Sequence, residues 1–139
     1  MGGSDSGRVA LLGGAGAAEW EAALRARGFE VAAAADTPAL LGAARDAAAV
    51  VIDADLPHGG GFAACIAIRR DPALRLPVVL AGATAESARR HARLPGRADA
   101  YLLAPVEGEA LADAVAEAIR RGPAPPITGR RARIGRAVA

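Results

Sequence analysis

The sequence predicts an α/β fold in which a five-stranded parallel sheet is doubly wound, with helices on both faces of a three-layer sandwich. Five short apolar runs alternate along the chain with five amphipathic stretches. The connections between these stretches are short, as expected for repeated βα units. The run Ala48–Asp53 is apolar up to its last residue, which is typical of a strand buried on both faces.

The predicted strands are runs of Ala, Val, Leu and Ile bounded by turn residues. Aromatic residues make up only 3% of the chain, so small aliphatic side chains must build the core. Small side chains allow helices to lie close to a sheet. The five predicted strands are Arg8–Leu12, Phe29–Ala34, Ala48–Asp53, Pro77–Ala81 and Ala100–Leu103.

The first two helices are predicted from spacing and capping residues. Trp20 and Leu24 lie four residues apart on one face of the first helix, which Gly28 closes. Thr37 is expected to cap the second helix, with Pro38 at its first position. The predicted helices are Ala17–Arg27, Thr37–Asp46, Gly61–Arg70, Ala85–Arg93 and Gly108–Arg121.

Prolines end the third and fourth helices, and periodicity defines the fifth. Pro72 stops the third helix and Pro95 the fourth, because proline cannot continue a helix. Leu111, Val115 and Ile119 form the inner face of the fifth helix. With 139 residues, the chain fits one domain, which we place at residues 8–121.

Residues 122–139 differ in composition from the rest and are predicted to be a Pro/Gly linker followed by a basic, disordered tail. Residues 1–119 carry eleven arginines against all 15 acidic residues, whereas the charged residues among 120–139 are all arginines, so an acidic body precedes a basic end. This end could bind nucleic acid electrostatically, although no aromatic residue is present to stack on bases. Its six arginines are Arg120, Arg121, Arg130, Arg131, Arg133 and Arg136.

Sequence signals of export or membrane insertion are not found. No apolar run is long enough to span a bilayer, and the first residues lack the basic and apolar regions of a signal peptide. The lone Cys65 cannot form an internal disulfide and is expected to be a small buried residue. We therefore expect a cytoplasmic protein with no membrane contact.

Asp53 is the leading candidate for chemistry, because it ends the most apolar strand. The carboxyl ends of parallel strands form the binding crevice of open α/β sheets. Asp55 and His58 follow in the next loop. The alternative is that Asp53 is a strand-end acid held by hydrogen bonds from loop amides, and that His58 is simply solvated.

From about Arg8 to Arg121 the sequence resembles the receiver domain of two-component response regulators, whose fold is flavodoxin-like. Asp53 matches the phosphoacceptor aspartate, and Pro57 and Gly61 match the loop that follows it. Pro77–Leu80 matches the fourth strand. Asp99–Pro105, which includes Tyr101, resembles the fifth strand and its Lys-Pro turn.

The residues that the resemblance implies for phosphoryl chemistry are substituted. The acidic pair that would hold Mg²⁺ is replaced by Gly13 and Gly14. The switch hydroxyl position is Gly82, followed by Ala83, and the lysine before Pro105 is Ala104. The chain contains no lysine at all. The resemblance thus implies a degenerate receiver, or pseudo-receiver.

A receiver without its metal site loses the charge stabilisation that phosphoryl transfer needs, several kcal/mol or roughly a thousandfold in rate. We therefore expect a noncatalytic module with no cofactor, acting independently of phosphorylation. One alternative keeps Asp53 phosphorylatable, with Mg²⁺ held at a non-standard site by Asp53 and Asp55.

Another alternative is a nucleotide- or anion-binding module built on the Gly13–Gly16 turn, with Asp36 reaching a ribose.

Two further residues have structural explanations. Thr84 could supply a displaced hydroxyl but is expected to cap the fourth helix, and His91 is expected to favour that helix's dipole.

The expected partner is another protein or a second copy, bound through the face of the fourth helix, fifth strand and fifth helix that receiver domains use to dimerise. An output domain could also follow the chain. The candidate ion-pairing residues on this face are Arg89, Arg90, Asp99, Glu109, Arg120 and Arg121.

Overall fold

The structure of the chain is a computed structural model, which describes residues 7–14 and 16–123 and the backbone of residues 133–136. The described residues form one parallel sheet and five α-helices. The strands are β1 (Gly7–Leu12), β2 (Phe29–Ala34), β3 (Ala49–Asp53), β4 (Val78–Ala83), β5 (Ala100–Leu103) and β6 (Arg133–Arg136). The helices are α1 (Ala17–Ala26), α2 (Thr37–Ala44), α3 (Gly60–Arg70), α4 (Ala85–His91) and α5 (Gly108–Arg121).

The sheet order is β2-β1-β3-β4-β5-β6, and every neighbouring pair is parallel. The helices α1 and α5 pack on one face around Trp20 and Leu111, and α2, α3 and α4 pack on the other around Leu40 and Ile68. The predicted doubly wound fold is confirmed. The bounds of the five predicted strands and five predicted helices agree with the structure to within two residues.

Strand β3 occupies the middle of the sheet, and all five of its residues are buried. Its branched side chains cover both faces of the sheet. Val51 packs in the cluster with α1 and α5, and Val50 and Ile52 pack in the cluster with α2, α3 and α4. Asp53 therefore lies at the carboxyl edge, at the end of a fully buried strand in the middle of the sheet.

Side-chain caps begin two of the helices. Asp36, rather than the predicted Thr37, caps α2: its extended backbone lets the carboxylate accept a hydrogen bond of 2.9 Å from the amide of Ala39. Thr84 caps α4 as predicted, in a reciprocal pair of hydrogen bonds with Ser87. Thr84 is thus used in helix capping.

Strand β6 corrects the prediction of a wholly disordered tail. Residues 133–136 pair with β5 in parallel, with Arg133 opposite Ala100 and Arg136 opposite Leu103. Without β6, strand β5 would end the sheet and leave a row of backbone groups unpaired, and a strand of only four residues is enough to pair them. The rest of the predicted tail, residues 124–132 and 137–139, lies outside the described residues.

Candidate functional site at the carboxyl end of the sheet

The carboxylate of Asp53 is held by two backbone amides. Its Oδ2 accepts a hydrogen bond of 3.1 Å from the amide of Gly14, and its Oδ1 accepts one of 2.8 Å from the amide of Asp55. The residue is only 7% exposed. Each oxygen therefore has a backbone donor, one from the loop that follows β1 and one from the loop that follows β3.

Two glycines lie against this carboxylate, at positions where the resemblance implies functional side chains. A Cβ on Gly14 would lie 3.2 Å from Oδ2, and a Cβ on Gly82 would lie 3.4 Å from Oδ1. Gly82 has a φ of +93°, which strongly favours glycine over any residue with a side chain. The structure therefore brings these positions to Asp53, but neither carries a functional group.

The other substituted positions serve packing or face outward. A Cβ on Gly13 would overlap the Cβ of Ala17, so Gly13 allows the first loop to lie close against α1. Ala83 is buried in the core. Ala104 and Pro105 are exposed beyond the end of β5, joined by a cis peptide bond.

The loop after β3 wraps tightly around Asp53. Pro57 begins a short 3-10 turn, and both Asp55 and His58 are exposed. Gly61, in the first turn of α3, is buried directly against the backbone of Asp53 and Ala54. This contact fixes the start of α3 under the carboxylate.

The indole of Trp20 lies behind Gly82, beside the same site. Its ring edge would be 3.9 Å from a Cβ on Gly82, and its Nε1 donates a hydrogen bond of 3.3 Å to the carbonyl of Val106. Trp20 thus links α1 to the segment between β5 and α5, next to Asp53.

The donor set fits a magnesium ion poorly. Both oxygens of the Asp53 carboxylate are engaged by backbone amides. Within residues 7–14 and 16–123, no three His, Cys, Asp or Glu side chains are grouped closely enough to hold a metal ion. Mg²⁺ requires near-octahedral oxygen ligation, and this arrangement offers little of it.

The glycine-rich turn is also poorly suited to an anion. The amide of Gly14 is directed at the carboxylate of Asp53, so a phosphate there would meet a negative charge. Asp36, the residue expected to reach a ribose, is used as the cap of α2. The geometry therefore does not favour the nucleotide-binding alternative.

A buried polar pair beneath α4 was missed by sequence reasoning. Tyr101 is fully buried, and its hydroxyl accepts a hydrogen bond of 3.0 Å from the amide of Ala98. Its proton is thus free to be donated to Nδ1 of His91, which is only 4% exposed and packs on Phe62. The expectation that His91 acts through the helix dipole is wrong, because the ring faces the core.

Burial shifts the pKa values of His91, Tyr101 and Cys65 in the directions that favour their neutral forms. Burial lowers the pKa of His91 below its ordinary 6.5, and the nearby positive charge of Arg69 lowers it further. Burial raises the pKa of Tyr101 well above its ordinary value. Cys65 is fully buried as predicted, and burial raises the pKa of its thiol to about 12.

Acidification is expected to destabilise the fold through His91. Since the pKa of His91 is lower in the folded chain, the unfolded chain binds the proton more readily below pH 6.5. The free energy of unfolding should fall as the pH drops from 6.5 towards that lower pKa. Urea unfolding followed by circular dichroism, at a series of pH values, measures this loss.

Two glutamine variants test this pH dependence. His91→Gln keeps an acceptor for Tyr101 but does not titrate, so it should flatten the loss of stability just below pH 6.5. His58→Gln removes an exposed histidine and should leave the loss as in the native chain. Equal slopes in the native and His91→Gln chains would contradict the assignment.

The predicted interaction face is only partly as expected. Asp99 does not belong to an exposed surface: its carboxylate lies 2.6 Å from Arg69 in a mostly buried ion pair and accepts a hydrogen bond from the amide of Val78. It must satisfy that amide at the start of β4, which draws it inward. The exposed members of the predicted set are Arg89, Arg90, Glu109, Arg120 and Arg121.

Two of these arginines are engaged within their own helices. Arg90 pairs with Glu86 at 2.9 Å, and Arg120 pairs with Glu117 at 2.8 Å. Strand β6 also covers the β5 edge that was predicted to be part of this face. In the tail, Arg130 and Arg131 lie outside the described residues.

Comparisons with known proteins give a clear result for the fold alone. No protein-family model matches the chain, and neither does any curated protein. No helix among the described residues is both long enough and apolar enough to cross a membrane.

Solved structures match most of the chain. A chain described as a response regulator of Chloroflexus aurantiacus is 25% identical, with a TM-score of 0.70 over 84% of this chain and 99% of its own. The receiver domain of the sensor histidine kinase PA1611 from Pseudomonas aeruginosa is 24% identical (TM-score 0.69, covering 83% and 98%), and its structure has a magnesium ion coordinated in the active-site cleft.

The chemotaxis response regulator CheY4 of Vibrio cholerae is 20% identical, with a TM-score of 0.66 over 80% of this chain and 97% of its own. These structures are nearly fully covered by the match, so the likeness extends over the whole domain. The chain therefore has the flavodoxin-like fold of response-regulator receiver domains.

Proposed function

We propose that this chain is a receiver-type signalling module that acts through protein contacts and does not store a phosphoryl group on Asp53. The proposal is carried by one observation: both oxygens of Asp53 accept hydrogen bonds from backbone amides, between two glycines. Both oxygens are thus already engaged within the protein. The receiver fold supports a role in two-component signalling.

Charge is the physical obstacle to phosphorylation. A phosphoryl group on Asp53 would replace the single negative charge of the carboxylate with about two on the phosphoryl oxygens, and phosphoryl transfer depends on metal ions and fixed cations to neutralise such charge. The positions beside Asp53 are Gly14 and Gly82, which offer neither charge nor hydroxyl. The lysine that receivers place before the proline of their last turn is Ala104, which is exposed.

The site instead has a structural role in this proposal. Asp53 joins the loop after β1 to the loop after β3, and Trp20 extends the contact towards Val106. The carboxyl edge is thereby held in one arrangement without a bound phosphate. A fixed arrangement suits a module whose binding surface is permanently available to a protein partner or a second copy.

We expect acetyl phosphate with Mg²⁺ to leave the native chain unmodified. Intact-mass spectrometry measures the addition, and the phosphate mimic beryllofluoride should cause no change in the amide spectrum by NMR. Addition of a phosphoryl group that disappears in Asp53→Asn would overturn the proposal. That outcome would favour a phosphorylatable receiver with a non-standard metal site.

Restoring an acidic side chain beside Asp53 tests whether its absence prevents metal binding. Gly14→Asp introduces a carboxylate next to Oδ2 of Asp53, and it should give measurable Mg²⁺ binding by isothermal titration calorimetry. Gly16→Asp is the matched control, because a side chain on Gly16 meets open space. Equal Mg²⁺ binding by the native chain would contradict the idea that the metal site is missing.

A further inference from the structure

The connection from β5 to β6 differs in handedness from the four connections before it. The steps from β2 to β3, β3 to β4 and β4 to β5 move towards the β6 edge through helices on the α2, α3 and α4 face. The step from β1 to β2 moves the opposite way through the opposite face, which gives the same hand. These four crossovers therefore share one hand.

The fifth crossover, from β5 to β6, has the opposite hand. The step from β5 to β6 also moves towards the β6 edge, but its helix α5 lies on the face of α1. All the strands are parallel, so this crossover has the opposite hand. About 98% of parallel crossovers are right-handed, and the four that agree represent that common hand. Within one chain, the β5-α5-β6 unit is thus of the rare left-handed kind.

The backbone pairing itself does not depend on which copy supplies the strand. The edge of β5 offers a row of amide and carbonyl groups, and β6 pairs with it from Ala100–Arg133 to Leu103–Arg136. The same segment from a second copy would make the same hydrogen bonds. If the strand comes from another copy, no left-handed crossover is needed.

The length of the connection permits this exchange. Eleven residues, 122–132, separate α5 from β6. Extended, they would span about 36 Å, close to the diameter of about 34 Å expected for a domain of this size. A prolyl-rich connection of this length can therefore reach a neighbouring copy, and it is longer than the short loops that join the other elements.

Charge also favours association between copies. Residues 1–119 contain more acids than arginines, whereas residues 120–139 contain six arginines and no acid. The strand at residues 133–136 is basic at both ends. Opposite charge on the body and the exchanged segment attracts one copy to another and disfavours non-specific self-association of like surfaces.

We propose that β6 is exchanged between two copies of this chain, with residues 133–136 of each copy pairing with β5 of the other in a symmetric dimer. The proposal deepens the interaction role given above by naming the partner and the surface. It makes the β5 edge the centre of the interface. Reciprocal exchange of this kind closes after two copies, because each edge and each strand is used once.

Disulfide trapping distinguishes exchange from pairing within one chain. Two full-length chains of different mass, both carrying Cys65→Ala, are mixed: one with Ala100→Cys and the other with Arg133→Cys. Facing residues of neighbouring strands lie within disulfide range. Exchange should give a covalent heterodimer on a non-reducing gel, about tenfold or more above the control. The control replaces Ala100→Cys with Glu30→Cys, on the exposed far edge of the sheet.

A chain with both Ala100→Cys and Arg133→Cys supplies the opposing outcome. Oxidation to an internally linked monomer, without heterodimer in the mixture, would overturn the exchange. So would the absence of any cross-link, because β6 would then not pair with β5. Either result leaves the phosphorylation test on Asp53 unaffected, so the two proposals fail separately.

Sedimentation velocity gives an independent measure of the same dimer. Ile134→Pro with Gly135→Pro removes two amides from β6 and should weaken the association about tenfold or more. The circular dichroism of the body should be retained, since β6 contributes four residues at one edge. Unchanged association in this variant would contradict the proposal.

Discussion

Replacing Gly61 with alanine is expected to lower the free energy of unfolding by about 3 kcal/mol. A Cβ at this position would overlap the carbonyl oxygen of Asp53 and lie 3.0 Å from Cα of Ala54. Both are backbone atoms of a strand end in the middle of the sheet, so neither can move without disturbing β3. The start of α3 would have to shift instead.

The adjacent glycine provides the control. Gly60 has a helical φ of −60°, and a Cβ there would make only an ordinary contact of 3.6 Å with Leu56. Gly60→Ala should therefore be neutral, or stabilise by about 0.5 kcal/mol because it reduces the freedom of the unfolded chain. Urea unfolding curves of the two variants measure the difference. Similar stability in both would show that the loop adapts to a side chain at Gly61.

Replacing Arg69 with methionine is expected to destabilise the fold more, by about 3 to 5 kcal/mol. The guanidinium donates to the carbonyl of Arg97 at 2.7 Å and to that of Leu76 at 3.3 Å, and it pairs with Asp99 at 2.6 Å. The pair is mostly buried, with the Asp99 side chain 10% exposed. Loss of the guanidinium leaves that mostly buried carboxylate without its cation.

Arg70, the next residue of α3, is the matched control because it is exposed. Arg70→Met should change the free energy of unfolding by less than about 0.5 kcal/mol. Thermal and urea unfolding of both variants test the comparison. A loss in Arg69→Met no larger than that in Arg70→Met would mean that the buried ion pair does not stabilise the α3, β4 and β5 segments as proposed.

Much of the fold follows from local patterns in the sequence. The apolar run of β3 and the face of α5 that includes Leu111 and Val115 are periodic, so their elements could be predicted directly. Proline and glycine define the ends of most helices. The position of Asp53 could also be predicted, because the end of a buried strand must reach the carboxyl edge of the sheet.

The buried polar contacts could not be predicted in the same way. His91 directly follows two exposed arginines, and Asp99 lies two residues after Arg97, so the sequence context of both suggests the surface. They turn inward because a buried hydroxyl on Tyr101 and an amide at Val78 require partners. Such pairings join residues that are distant along the chain or share no periodicity. A partial signal was available in the lone tyrosine within an otherwise aliphatic strand.

Strand β6 was missed for a different reason. Its four residues include a glycine and two arginines, which have little strand propensity of their own. The open edge of β5 supplies the pairing that the segment does not specify by itself. Sequence patterns report on burial, whereas an edge strand depends mainly on the backbone of its neighbour.

The position of Trp20 makes it an intrinsic fluorescence probe of the site around Asp53. It is the sole tryptophan of the chain. Its ring extends from α1 to the carbonyl of Val106, before α5, and to Gly82 beside Asp53. Ultraviolet emission from this single indole therefore reports on the neighbourhood of the carboxylate without any attached dye. A change in its quenching or in its emission wavelength would report a change in the surroundings of Asp53 in real time, in the native chain.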